Sequence, residues 1–407
     1  MTTDEGQGGP AHLQAQTNES VTSESVIGEF QASELFIVGY DGTELPEPLR
    51  TRYSRGDYAG LIFFARNFPN LPDGRADVRR IAELLDETGR IYQPLASGPF
   101  AELPPILAVD QEGGRVQRVR APVTVWPPMG RLKDQPPELA EETGRAIASE
   151  LAALGFNLNF APVLDVHTNP ENPIIGDRSF GTTAEAATER ALAFWRGLEA
   201  LGCVRGCGKH FPGHGDTATD SHHTLPVVHH SEARLRSVEL VPFAAAIKAG
   251  IPMLMTAHVV YPAIDSRPAT LSRRWLTDIL RGELGFEGVI LSDDLDMRAL
   301  AREQLASLPH ASDGAAIDEG HVIVDSLLAG CDAFLLCRNP ERQARAEEAL
   351  NRAAAERPDV RARLCESASR LRRFRATLGW PGCDSVAVGQ LPIPEHESLR
   401  QRLLAGA

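Results

Sequence analysis

The chain has 407 residues, of which 43% are hydrophobic and 24% are charged. This is the composition of a soluble globular protein, long enough for one large α/β barrel or for two ordinary domains. The formal net charge of -14 argues against a nucleic-acid partner, because affinity for a phosphate backbone comes from clustered Lys and Arg.

The first 29 residues form a segment without Lys or Arg that is rich in Gly, Thr, Ser and Gln. This composition predicts a disordered acidic tail over residues 1–29. The segment lacks the basic start and the apolar run of about 7–15 residues that are typical of a secretory signal. A membrane-spanning stretch of about 18 apolar residues is also missing, so we expect a cytoplasmic protein without a membrane partner.

Eight short runs along the rest of the chain are apolar throughout, and longer stretches with helical periodicity separate them. Such runs predict parallel strands buried on both faces, and their alternation with helices predicts βαβ units. A single-domain (β/α)8 barrel over residues 30–380 is the simplest α/β architecture, although a doubly wound open sheet would give the same pattern. The predicted strands are 35–40, 60–64, 106–110, 157–162, 204–210, 252–258, 288–293 and 333–336. The predicted helices are 77–92, 137–154, 183–201, 232–249, 272–284 and 315–329.

Polar residues at the ends of these strands favour the barrel over the open sheet. Active sites of barrel enzymes are assembled from the C-terminal ends of many strands, and polar side chains follow nearly every run here. The first strand, in contrast, leads into Gly39-Tyr-Asp-Gly42, which is not the G-x-G-x-x-G turn of a dinucleotide-binding fold. Residues 381–407 are predicted to be a C-terminal tail, packed or loose, with a short helix around 395–404. The strand-end residues are Arg66, Asn67, Asp110, Asp165, Lys209, His210, His258, Asp293, Arg338 and Asn339.

The densest group of titratable residues follows the fifth predicted strand, in Lys209-His-Phe-Pro-Gly-His-Gly-Asp-Thr-Ala-Thr-Asp-Ser-His222. Its proline and glycines predict a strand end followed by a loop. Asp220 and His222 are two residues apart, so the carboxylate can bond one imidazole nitrogen and leave the other to exchange protons with a substrate. The pair therefore suits general acid/base chemistry.

A second segment, Gly288-Val-Ile-Leu-Ser-Asp-Asp294, is an apolar strand that ends in two carboxylates. A carboxylate at this place can attack an anomeric carbon and form a glycosyl-enzyme. We predict that Asp293 is this nucleophile and that Asp294 points the other way and bonds backbone or a neighbouring helix end. The alternative for Asp293 is a helix N-cap.

Two further segments supply binding groups. Ala108-Val-Asp-Gln-Glu-Gly-Gly-Arg-Val-Gln-Arg118 contains Asp110 and Arg118, which can bind sugar hydroxyls, and Ile175-Gly-Asp-Arg-Ser-Phe180 contains Arg178, a candidate substrate clamp. Arg115 in the Gly-Gly-Arg turn is predicted to form an ion pair in the loop.

Together these four segments resemble the β-N-acetylglucosaminidases of glycoside hydrolase family 3, including bacterial enzymes that recycle cell-wall fragments. The resemblance runs from about residue 34 to about 340, and K-H-F-P-G-H-G-(x)4-D-S-H and S-D-D-L are its most specific motifs. It implies that Asp293 is the nucleophile, that His222 is the general acid/base supported by Asp220, and that a terminal N-acetylglucosamine is bound. The residues implied in sugar binding are Asp110, Arg118, Arg178, Lys209 and His210.

The resemblance also implies a retaining exo-enzyme that acts on small N-acetylglucosamine-containing muropeptides or oligosaccharides, and we expect it to work without a cofactor or metal and as a monomer. The chain departs from the family in its N-terminal tail and in the segments 169–173 and 301–318, which leaves the aglycone preference open. Family 3 β-glucosidases usually add a second domain with a Glu acid, for which this chain has no room.

Several other interpretations remain open from the sequence. A His acid/base carries no negative charge, so phosphate could approach the glycosyl-enzyme and make the protein a phosphorylase. A β-glucosidase, or a non-catalytic sugar-binding barrel, would use the same fold. The spacing of His210 and His214 suits zinc on a helix, but Pro212 and Gly213 between them forbid a regular helix. Asp165 and His258 are either binding residues or buried groups that loop backbone satisfies.

The six cysteines lie singly, without the C-x-x-C pairs of zinc sites, and are predicted to be buried free thiols.

Overall fold

The computed structural model describes residues 31–92, 103–219, 225–297, 300 and 319–405. The acidic tail predicted for residues 1–29 lies outside these residues. Within them, no helix is long and apolar enough to span a membrane.

Eight parallel strands close into a barrel, as predicted. Each strand pairs in parallel with the strands before and after it, and the last strand pairs with the first, with Phe36 opposite Phe334. The strands are β1 (Phe36–Val38), β2 (Gly60–Phe63), β3 (Ile106–Val109), β4 (Leu158–Asn159), β5 (Arg205–Gly206 and Gly208–Phe211), β6 (Met253–Thr256), β7 (Val289–Asp294) and β8 (Ala333–Leu336).

The fifth strand is broken at Cys207, and its two parts complete the ring by pairing with different neighbouring strands. Its first part pairs with β4 and its second part with β6. The amide of Cys207 donates to the carbonyl oxygens of Asn159 and Ala161, both at 3.0 Å, which keeps β4 joined to β5 across the break.

Helices connect the strands and cover the barrel, and most begin where the sequence predicts. Asp77 and Thr183 cap two of them by accepting hydrogen bonds from the backbone, and Gly155 and Gly250 end two others with positive φ angles of 107° and 91°. The described helices are Glu47–Ser54, Val78–Ile91, Pro137–Leu154, Ala184–Glu199, Glu232–Ser237, Val241–Ala249, the π-helix Arg274–Glu283, Glu319–Ala329, Pro340–Glu356, Pro358–Arg375, Ser385–Gly389 and Pro394–Ala405.

The helices differ from the predictions in two places. The single helix expected over 232–249 is two helices, because Pro242 lacks the amide hydrogen that an uninterrupted helix needs and lies in the first turn of the second one. Two long helices after β8, Pro340–Glu356 and Pro358–Arg375, are absent from the predicted elements. Their exposed faces are rich in Arg and Glu, and the buried face of the first consists mainly of alanines, so the apolar stripe is weak.

The cysteines are free, as predicted, but not all are buried. Cys207, Cys331 and Cys337 are buried, whereas Cys203 is exposed, so the prediction of burial is wrong for that residue. Cys203 lies in the turn that follows the helix Ala184–Glu199, ahead of the buried part of β5.

A buried carboxylate at the opposite end of the barrel from the strands' C-termini fastens a late helix to the barrel. Asp332, immediately before β8, is completely buried and accepts hydrogen bonds from Arg281, from Arg363 at 2.9 Å and from Arg370 at 2.8 Å. It also accepts from the amide of Ile290 at 2.9 Å. One carboxylate therefore joins the π-helix, β7 and the helix Pro358–Arg375.

Asp332→Asn is expected to destabilise the protein by about 3–5 kcal/mol, because it leaves three largely buried guanidinium groups facing a neutral side chain. Urea denaturation of the variant against the wild type measures the change. The matched control is Asp325→Asn, which removes an exposed carboxylate 4.0 Å from Arg267 and should cost less than about 1 kcal/mol. Equal losses in the two variants would show that the buried cluster is not a special source of stability.

Candidate active site

A pocket of about 160 Å³ lies where the barrel strands end, and it brings together most of the residues predicted from the sequence. Side chains from the seven strands β2 to β8, or from the loops that follow them, line it. This is the end of the barrel at which barrel enzymes carry out their chemistry. The predicted site residues in its lining are Asp110, Arg118, Arg178, Lys209, His210 and Asp293.

Alternating charges form one wall of the pocket. The Nζ of Lys209 lies 2.7 Å from Asp110 Oδ1 and 2.6 Å from Glu112 Oε1. Glu112 in turn accepts two hydrogen bonds from Arg178, at 2.8 Å from Nε and 2.9 Å from Nη2. All four side chains are buried, so each charge is compensated by a neighbour of opposite sign.

These neighbours fix the protonation of the acidic members. Burial alone would raise the pKa of Asp110 and of Glu112. The charges of Lys209 and Arg118 outweigh burial for Asp110 and hold its pKa well below the usual range, and Arg178 and Lys209 lower the pKa of Glu112 to about 2. Both carboxylates are therefore ionised acceptors at neutral pH.

Glu112 is a buried residue that the sequence analysis missed, and it pairs with two residues of the pocket lining, Lys209 and Arg178. It lies on a small hairpin, Gln111–Gly113 paired with Val116–Gln117, which follows β3 directly. Because the hairpin reverses the chain within a few residues, Glu112 comes back to Lys209 and Arg178. The alternation of the Asp-Gln-Glu segment, which places its two acids on the same side of an extended chain, is the signal that could have identified it.

Arg118 contributes donors that the protein leaves open. Its Nη2 lies 3.3 Å from Asp110 Oδ2, and its Nε is buried without a hydrogen-bond partner among the described residues. A buried donor without a partner is costly in an otherwise satisfied structure. Its position in the pocket lining suits a donor whose acceptor arrives with a ligand.

Asp293 reaches the pocket from the end of β7. Its Oδ1 accepts a hydrogen bond of 2.8 Å from the amide of Asp294. Burial raises the pKa of Asp293, but the neighbouring His258 and His210, the Asp294 amide and Lys209 together lower it below its ordinary value. Asp293 is therefore a carboxylate, and not a carboxylic acid, at neutral pH.

Asp294 bonds backbone, as predicted, but it also lines the pocket, so the prediction that it points away from the site is wrong. Its Oδ1 accepts from the amides of Asp296, at 3.0 Å, and Cys337, at 3.1 Å. Burial, followed by the negative charges of Asp296 and Asp293, raises the pKa of Asp294 to about 7. The two adjacent acids thus differ in both hydrogen bonding and ionisation.

His210 is fixed in orientation by a residue whose role the sequence left open. Asp165, fully buried after β4, accepts a hydrogen bond of 2.7 Å from the Nδ1 of His210 and another of 2.7 Å from the amide of His214. The remaining ring nitrogen of His210, Nε2, lies 3.5 Å from Arg178 Nη2. Asp165 is thus a positioning residue for His210 and not a ligand of the pocket.

His258 and Arg115, whose roles the sequence also left undecided, bond to other parts of the protein. Both ring nitrogens of His258 are engaged, with Nδ1 at 2.8 Å from Thr270 Oγ1 and Nε2 donating to the carbonyl oxygen of Asp294 at 3.1 Å. Arg115 donates to the carbonyl oxygens of Ile174 and Ile175. The prediction of an ion pair for Arg115 is wrong, because its loop offers backbone acceptors where a carboxylate was expected.

The family of the protein is shown by how much of the chain a family model matches. A family model described as "Glycosyl hydrolase family 3 N terminal domain" matches residues 53–373, which are most of the chain. The chain belongs to glycosyl hydrolase family 3. The resemblance predicted from the sequence motifs is confirmed, and the protein is a glycoside hydrolase.

Curated relatives match between 74% and 88% of the chain. A β-hexosaminidase of Chromobacterium violaceum is 38% identical over 370 residues, which cover 88% of this chain and 94% of that protein. A β-hexosaminidase of Methylobacillus flagellatus is 39% identical over 308 residues, covering 74% of this chain and 79% of that protein.

Solved family 3 structures are similar over the whole barrel. A β-N-acetylglucosaminidase from Paenibacillus sp. FPU-7 has a TM-score of 0.78 at 34% identity and covers 95% of this chain and 69% of that one. NagZ from Neisseria gonorrhoeae, in complex with N-trifluoroacetyl-D-glucosamine, has a TM-score of 0.68 at 30% identity and covers 92% of this chain and 98% of that one.

Asp220 and His222, the acid/base pair implied by the family 3 resemblance, lie outside the described residues. The chain on either side of them is described, and its two stems are joined. His230 Nε2 lies 2.6 Å from Asp216 Oδ2, and Thr168 donates to Asp216 Oδ1 at 2.8 Å. These contacts tie both stems of the segment 217–229 to the loop after β4.

A larger pocket of about 600 Å³ lies on the far side of the segment that carries Arg178. Its lining includes Lys133, Asp134, His167 and Asp177, but none of the predicted site residues. The smaller pocket is the candidate active site, because the strand-end carboxylates converge there and size alone does not carry chemistry.

Proposed function

We propose that this family 3 glycoside hydrolase is a retaining exo-β-N-acetylglucosaminidase that acts through a covalent glycosyl-enzyme on Asp293. The observation that carries the proposal is the ionised carboxylate of Asp293 in a small pocket that the Asp110–Lys209 ion pair also lines. The names of the similar proteins, β-hexosaminidase and β-N-acetylglucosaminidase, support an amino-sugar substrate.

Sugar binding falls to the charged wall of the pocket. Asp110 accepts hydrogen bonds from ring hydroxyls while Lys209 and Arg118 donate to them, and the open Nε of Arg118 gains an acceptor. Arg178 and His210 complete the wall, held by Glu112 and Asp165. Charge-assisted hydrogen bonds of this kind give both affinity and orientation.

The chemistry then follows in two steps. Asp293 attacks the anomeric carbon and forms an ester with the sugar, while His222, supported by Asp220, protonates the departing oxygen. The same histidine next takes a proton from water, which attacks the anomeric carbon and releases the sugar. Two inversions at one carbon retain the β configuration.

The natural substrates we propose are small N-acetylglucosamine-containing muropeptides, and the place of action is the cytoplasm. The resemblance to bacterial enzymes that recycle cell-wall fragments supports this assignment. It is independent of the mechanism, since the pocket residues discussed above bind only the terminal sugar.

The configuration of the first product tests the mechanism. With 4-nitrophenyl β-N-acetylglucosaminide, proton NMR should detect the β anomer of N-acetylglucosamine before mutarotation. The α anomer as first product would rule out a glycosyl-enzyme. Repeating the reaction with inorganic phosphate separates the phosphorylase alternative, which would give a sugar 1-phosphate. Cleavage of a β-glucoside by a protein inert to the amino sugar would overturn the substrate.

A further inference from the structure

The C-terminal helix Pro394–Ala405 lies beyond the matched family domain, which ends at residue 373. Leu403 is buried and Leu399 nearly so, and the amide of Asp384 donates to the carbonyl oxygen of Ala153 at 3.0 Å. The segment therefore packs against the helix Pro137–Leu154. Two polar side chains of the C-terminal helix are connected to the loop that follows β3, His396 through Glu150 of the helix Pro137–Leu154 and Arg400 directly.

His396 makes the first of these contacts. Its Nδ1 donates to Glu150 Oε1 at 2.9 Å, and the side chains are only 14% and 2% exposed. The same oxygen of Glu150 accepts from Thr124, at 2.6 Å from Oγ1 and 3.3 Å from the amide. One buried carboxylate oxygen therefore joins the C-terminal helix to the strand of loop that begins at Thr124.

Arg400 makes the second contact, without an intermediary. Its Nε donates to the carbonyl oxygen of Val125 at 2.7 Å, one residue after Thr124. Its Nη1 is held by Glu397 at 2.7 Å. The C-terminal helix thus bonds Val125 directly and is linked to the preceding residue, Thr124, through Glu150.

Hydrogen bonds connect the segment that contains Thr124 and Val125 to Arg118, the arginine proposed to bind sugar. Gln117 donates to the carbonyl oxygen of Thr124 at 2.8 Å and accepts from the amide of Trp126 at 3.0 Å. The amide of the next residue, Arg118, is held at 3.0 Å by Gln111, the neighbour of Asp110. The position of the Arg118 guanidinium is therefore coupled to Thr124–Trp126.

We propose that His396 and Arg400 are positioning residues for the sugar-binding pair Asp110 and Arg118, acting through the loop 124–126. The C-terminal helix acts as a brace, in the sense that it holds the loop 124–126 in place, and it lies in a part of the chain that the family domain does not include. The proposal rests on the proposed function insofar as it takes Arg118 to bind sugar.

Arg400→Ala and His396→Ala test the proposal by steady-state kinetics on 4-nitrophenyl β-N-acetylglucosaminide. Each should raise KM roughly three- to tenfold and leave kcat within about twofold, because a loosened Arg118 weakens binding without touching the reacting atoms. Arg400→Lys keeps a donor for the Val125 carbonyl and should recover part of the loss. Among the described residues, the hydrogen bonds of the Arg400 side chain go to a backbone carbonyl and to Glu397, so Arg400→Ala is expected to fold even if His396→Ala does not.

The matched control is Arg402→Ala. Arg402 lies on the same helix and pairs with exposed Glu142 at 2.6 Å, and in the described part of the chain it makes no hydrogen bond to the loop 124–126. Its KM should equal that of the wild type. If Arg400→Ala and His396→Ala also keep the wild-type KM, or lose kcat at constant KM, the positioning role is wrong.

Hydrogen exchange gives a readout that does not require turnover. Deuterium uptake over residues 111–126 should rise in Arg400→Ala and not in Arg402→Ala. An inactive wild type would overturn the proposed function, whereas equal uptake in both variants would overturn the brace. The two failures are therefore distinguishable.

Discussion

Asp293→Asn is expected to lower kcat for 4-nitrophenyl β-N-acetylglucosaminide by roughly 10³- to 10⁵-fold, because an amide of the same shape cannot form the glycosyl ester. The pocket should otherwise survive, since the Asp294 amide can still donate to the Asn oxygen. Initial rates of nitrophenol release measure the effect, and the binding of N-acetylglucosamine to the variant checks that the site is intact.

The adjacent acid provides the comparison. Asp294→Asn removes a carboxyl that bonds the amides of Asp296 and Cys337, so it should affect the rate far less. If Asp294→Asn were inactive and Asp293→Asn active, the assignment of the nucleophile would be reversed.

The ionisation of Asp293 predicts how activity depends on pH. Its pKa is lowered by His258, His210, the Asp294 amide and Lys209, so activity should persist as pH falls through the range where an ordinary aspartate is protonated, and be lost through this group only below that range.

The second large effect is expected at His222. Its replacement by Ala should slow the cleavage of substrates with unactivated leaving groups by roughly 10²- to 10⁴-fold, because the departing oxygen then leaves without a proton. Nitrophenolate needs little protonation, so the loss in its release during the first step should be smaller. Comparing a disaccharide with the nitrophenyl glycoside for the same variant measures this difference.

His223→Ala is the natural control, because it removes the neighbouring histidine from the same segment and has no assigned role. It should retain most of the activity on both substrates. Equal losses for the two histidine variants, or a His222→Ala loss that does not depend on the leaving group, would argue against His222 as the general acid.

The barrel could be predicted because its signals are local. Strands such as β2 and β3 are apolar at every position, and the residue that directly follows β3 is the charged Asp110. Strand ends of a closed parallel sheet must meet at one end, so the convergence of Asp110, Lys209 and Asp293 follows from the architecture alone.

The sequence does not indicate which residue each charged side chain pairs with. Glu112 and Arg178 are 66 residues apart, and Asp165 and His210 are 45 apart, so neither pairing has a local pattern. The contact between Arg400 and Val125 spans 275 residues and depends on how the last helix packs. Such contacts follow from tertiary packing, which periodicity and motif spacing do not contain.

The central claim, a glycosyl-enzyme on Asp293, is tested most directly by mass spectrometry after incubation with an activated fluorosugar that keeps the 2-acetamido group and slows the second step. We predict an adduct of one sugar residue per chain, located on the peptide that contains Asp293 and missing from Asp293→Asn. A protein that hydrolyses the aryl glycoside yet gives no adduct, or carries it on another residue, would contradict the proposed mechanism.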